Sequence, residues 1–75
     1  MSPAGKATEM IYVVTSEPMD ERGRVVMVTG LARHTSKAKA EADRARMLAA
    51  RPLADPAWVH VREMDAPTAR RRFGF

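Results

Sequence analysis

The chain has 75 residues, no cysteine, and 13 Lys or Arg against 9 Asp or Glu, for a formal net charge of +4. That length fits one domain. The missing thiols exclude disulfides and thiolate zinc sites, and no apolar run approaches the ~20 residues that span a bilayer. Residues 1–8 lack the apolar stretch of a secretion signal, so a cytoplasmic protein without membrane association is expected.

Residues 1–8, with Pro3 and Gly5, read as a flexible leader. Residues 9–16 are rich in β-branched and aromatic types and predict a first strand. Residues 17–23 carry turn chemistry, with Pro18 stopping the strand and Gly23 able to take positive φ. A second strand is predicted over 24–32, with a bend or bulge at Gly30, making an antiparallel hairpin.

Thr35 or Ser36 caps a helix expected over 36–51, which Pro52 ends. Residues 57–64 alternate and predict a third strand, pairing with the first. Residues 66–75 form a basic tail or one short terminal helix with Pro67 in its first turn. The expected class is α+β: a ββαβ domain over 9–65, with a three-stranded sheet and one helix on one face.

Ala38, Ala42, Ala45 and Ala49 form a stripe at helical spacing, predicted to lie on the sheet. Lys37, Glu41 and Arg44, with Lys39, Asp43 and Arg46, read as the solvated side. The first two strands are apolar on both faces: Ile11 and Val13 oppose Met10, Tyr12 and Val14, and Val25, Met27 and Leu31 oppose Val26 and Val28. One helix covers one face, so the other needs cover. A two-fold homodimer through the sheet is the expectation taken. The alternatives are that Phe73 and Phe75 of the tail fold back over that face, or that strand edges pair between copies. The residues assigned to a partner-binding sheet face are Tyr12, Met27, Trp58, His60 and Met64.

His34 and His60 are separated by a whole helix and have no carboxylate at ligand spacing, so no metal is expected. No phosphate-cradling glycine loop is present in the sequence, and the expectation is a non-catalytic protein without cofactor. Without Arg70, Arg71 and Arg72, residues 1–69 carry 10 basic and 9 acidic groups, so the basicity belongs to the tail. Those three arginines suit phosphates, with Phe73 and Phe75 stacking on bases, or a groove on an acidic protein.

Tyr12-Val-Val-Thr, the hairpin, and Thr35-Ser-Lys-Ala-Lys-Ala-Glu-Ala resemble a loose group of small strand-strand-helix-strand proteins of actinobacteria and their phages. The likeness covers about residues 10–64 and carries over no catalytic residue. It implies a phage-encoded accessory protein acting on a host protein. The functional expectation is therefore a small protein-interaction module, with nucleic-acid binding through the sheet face and tail as the alternative.

Overall fold

The computed structural model describes residues 9–75. The leader expected at 1–8 lies outside the described residues. Three strands, β1 (Met10–Ser16), β2 (Thr29–His34) and β3 (Val59–Asp65), form one sheet in the order β2-β1-β3. Both neighbours run antiparallel to β1. The edge strands are therefore parallel to each other, with helix α1 (Lys37–Ala50) crossing between them. A 3-10 turn at Pro56–Trp58 leads into β3, and helix α2 (Ala66–Phe73) follows it. The fold is α+β with the ββαβ order read from the sequence.

The β1–β3 register pairs Ile11 with Met64, Val13 with Arg62, and Thr15 with His60 on one face. Tyr12 with Glu63 and Val14 with Val61 share the other. β1 is sealed on both faces: Ile11, Val13, Val14 and Thr15 are all fully buried. The Ile11 face is closed by α2, whose Ala69 joins Ile11, Val13 and Met64 in one core, with Ala66, Phe73 and Phe75 packed against it. The tail thus folds back as a helix over the face that a second copy was expected to cover.

Local chemistry fixes α2. Asp65 caps it by accepting the Thr68 backbone N–H at 2.7 Å, and Pro67 sits in the first turn, where a missing N–H costs nothing. Gly74 ends it at φ 78°, donating its N–H to Arg70 O at 2.8 Å. Arg70, Arg71 and Arg72 occupy the last turn, where positive charge suits the helix dipole. Phe73 lies so close to Gly30 that a Cβ there would come within 2.8 Å of its ring.

The helix α1 is capped by Ser36, whose side chain accepts from Lys39 N–H at 3.1 Å. Its inward stripe corrects the sequence reading. Ala40 and Asp43 are buried, and Arg44, Met47 and Leu48 half-buried, whereas Ala38, Ala42, Ala45 and Ala49 are exposed. Polar anchors set the rotation. Asp43 takes a hydrogen bond from His34 Nε2 at 2.8 Å and another from Arg46. Arg44 donates to the carbonyls of Val59 and Pro56, each at 2.8 Å. Alanine methyls gain too little from burial to compete with these bonds.

The second strand also differs from expectation. It begins at Thr29, not 24, and runs to His34. Glu17 N–H continues the β1–β3 ladder to Trp58 O at 2.7 Å, and Pro18, next on the side facing the second strand, has no N–H to give. Residues 25–28 therefore lose their ladder partner and keep only the Val26 N–H to Pro18 O bond and a Met19–Val25 bridge. The bulge expected at Gly30 falls beside it: Val14 faces Ala32 and Thr15 faces Gly30, leaving Leu31 extra. The third strand starts at Val59 rather than 57, because Ala57 and Trp58 belong to the 3-10 turn.

Ending the chain at Asp65 would bare Ile11, Val13 and Met64. Each such side chain contributes about 1.5–3 kcal/mol when buried, against a total of about 5–15 kcal/mol for a domain. We expect the truncated chain to lose its cooperative thermal transition by circular dichroism. A transition within a few degrees of the full chain would show that α2 is dispensable.

Candidate functional site

Residues 17–28 form an arm that projects beyond the Ser16 end of the sheet. Its tip is a tight turn. The Asp20 carboxylate accepts the N–H groups of Arg22 and Arg24 at 2.8 and 3.0 Å, and Gly23 takes φ 78°. Asp20 N–H donates to Arg24 O at 2.9 Å, which closes the loop.

The root of the arm is pinned by a buried carboxylate. Glu17 is 7% exposed. It accepts the two-pronged guanidinium of Arg62 at 2.8 and 2.6 Å and the hydroxyl of Thr15 at 2.7 Å. His60 Nε2 lies 4.0 Å away. The Arg62 hydrogen bonds, helped by Thr15 and by the charges of Arg62 and His60, outweigh desolvation and hold the Glu17 carboxyl at a pKa of about 2. Sequence reasoning missed this pairing, since Glu17 and Arg62 are 45 positions apart. The available signal was an acidic residue directly before a strand-breaking proline.

Beyond this root the arm is apolar and open. Val25, Val26, Met27 and Val28 are 41–60% exposed, and Leu31 beyond them is 42% exposed. Beside Leu31, between the end of α1 and the sheet, lies a cavity of about 260 Å³. Its apolar walls are Leu31, Met47, Leu48, Ala54 and Val59, with Ser16 and Arg51 at its margins. Leu53, fully exposed, lies next to Ala54 in the chain.

The residues assigned to one partner-binding face are dispersed. Met27 is exposed on the arm. Tyr12 is half-buried on the α1 side, its hydroxyl 3.5 Å from Glu63. Met64 is buried under α2, and His60 shares that face beside Glu17. Trp58 is half-buried in the 3-10 turn. Of the tail residues, Arg70, Arg71 and Arg72 are exposed, whereas Phe73 and Phe75 pack on the core with ring centroids 6.0 Å apart. The Arg72 guanidinium sits 5.4 Å from the Phe73 ring centre. Both rings are thus partly buried against the core.

His34 and Asp43 form an oriented pair, and Asp43 is held below its ordinary pKa by His34 first and then by Arg46. The His34–Asp43 bond ties α1 to β2, and the second Asp43 oxygen is held by Arg46 of the same helix. Among the described residues no group of three or more His, Cys, Asp or Glu is placed to hold a metal, and no helix is long and apolar enough to cross a membrane. The chain matches no family model, no curated protein and no solved structure.

The folded Glu17 pKa is depressed, so its contribution is full above about pH 4.5 and is lost as pH falls towards about 2. Asp43 and Asp65 are lowered as well and act in the same direction. Arg62→Ala leaves a buried carboxylate unpaired and should cost about 1–3 kcal/mol at pH 7. It should also flatten the stability–pH curve between about pH 5 and 2. Urea unfolding across that range checks both, and an unchanged slope would contradict the pairing.

Proposed function

We propose that this chain is a small, non-catalytic protein-interaction module that works through its apolar arm and the adjoining edge of β2. One observation carries the reading. Four consecutive apolar residues, Val25–Val28, stand exposed on an arm whose root and tip are both fixed by hydrogen bonds. A soluble chain that leaves such a run in water gains solubility by covering it. β2 is an edge strand, so an extended segment of a partner can add to it through main-chain bonds. Met27 supplies an adaptable side chain of the kind that suits apolar interfaces. The resemblance to actinobacterial and phage proteins fits an accessory role toward a host protein.

The exposed Arg70, Arg71 and Arg72 favour a second reading, phosphate contact with a nucleic acid. That reading predicts affinity falling steeply with salt and vanishing on Arg70→Ala, Arg71→Ala and Arg72→Ala together. Salt-insensitive or absent binding to DNA and RNA removes it.

The leading reading is tested by a photo-crosslinking residue placed at position 27 in the cells that make the chain. The expected outcome is a covalent protein adduct that Val26→Asp abolishes while the thermal midpoint stays within a few degrees, as for exposed sites generally. The same probe at exposed Ala45 of α1 serves as control. Equal crosslinking at both positions would contradict a role for the arm.

A further inference from the structure

We propose that the arm's partner is a second copy of this chain, and that two copies exchange arms, each placing Val26 and Met27 in the other's cavity between α1 and the sheet. This rests on the interaction reading above and commits it to one occupant.

The chain carries an apolar projection with no seat and an apolar seat with no occupant. The projection is Val25–Val28, and the seat is the cavity of about 260 Å³ walled by Leu31, Met47, Leu48 and Val59. Both lie at the same end of the molecule. Ser16 lines the seat and immediately precedes Glu17, the root of the arm. Leu31 belongs to the seat and follows the arm by three residues. A two-fold interface requires a patch that matches itself. A projection beside a recess meets that condition, because one rotation sets each over the other.

Charge at the margins agrees. The arm tip carries exposed Glu21, and the seat's rim carries exposed Arg51. Neither takes part in an ion pair among the described residues. Of the other charges nearby, Arg24 is engaged with Asp20 at 3.7 Å and Arg46 with Asp43, while exposed Arg22 at the tip places its backbone N–H on Asp20 and takes part in no ion pair among the described residues. Arm exchange brings Glu21 of one copy to Arg51 of the other, and the symmetry repeats the pair.

Light scattering on the full chain reads the result directly. The expected mass is that of two chains. Met27→Asp should give one chain with an unchanged circular dichroism spectrum. Glu21→Lys and Arg51→Glu should each weaken the dimer by about two- to five-fold for every exposed pair lost. The doubly reversed chain should recover the original affinity, which a merely structural effect would not produce. A single-chain mass for the unaltered protein at every concentration, or a Met27→Asp dimer as tight as the original, would overturn the exchange. If the unaltered chain is monomeric while the position-27 probe still captures another protein, the exchange fails and the module reading stands. If it is monomeric and captures nothing, both fail.

Discussion

The central strand must be dry on both faces, and the rest of the structure answers that requirement. Ile11 and Val13 point one way, Val14 the other, and all three are fully buried. A sheet with one helix leaves half of such a strand in water. Here α1 closes one face and α2 the other, both from within 75 residues. A chain of this size has little apolar surface to spare, so each helix relies on placed polar groups as well as contact area. Asp43 and Arg44 tie α1 to the sheet, while Asp65 and Gly74 delimit α2.

Glu17 links this core to the surface. Its backbone N–H goes to Trp58, continuing the β1–β3 ladder, and its carboxylate to Arg62 and Thr15, while the regular β1–β2 pairing ends at Ser16. With Pro18 next, the ladder resumes only as the Val26 N–H to Pro18 O bond and the Met19–Val25 bridge, and Val25–Val28 are left exposed along the arm. The exposed run at 25–28 thus follows from Pro18, beside a Glu17–Arg62 ion pair whose carboxylate is buried and whose guanidinium is half exposed. The two-pronged Glu17–Arg62 pair fixes the root of the arm relative to the groove beside it.

Much of the fold is legible in the sequence because local signals agree. β-branched density marks β1, Ser36 and Pro52 bracket α1, and alternation marks β3. The double-sided apolar character of β1 is also legible, and with it the need for a second cover. What covers it stays open between a second copy and the tail's own Phe73 and Phe75, since Ala69, Phe73 and Phe75 are too few, with Arg70–Arg72 among them, to decide between the two. The rotation of α1 is hidden for a related reason. Alanines are nearly indifferent to burial, and the anchors that decide the matter join residues 9 to 15 positions apart. The candidate surface was half visible. Met27 stands out among the apolar residues, but the root of the arm around it is set by the Glu17–Arg62 contact, whose partners lie 45 positions apart.

Helix α2 is an integral part of the core and seals β1. Amide hydrogen exchange of the full chain tests it most directly. Val13 and Val14 on the strand and the helical amides near Ala69 should exchange through one common opening, with the same free energy and the same denaturant dependence. Fast exchange along α2 beside slow exchange along β1 would show a helix that merely rests on a face the strand can hold dry without it, and would contradict the account.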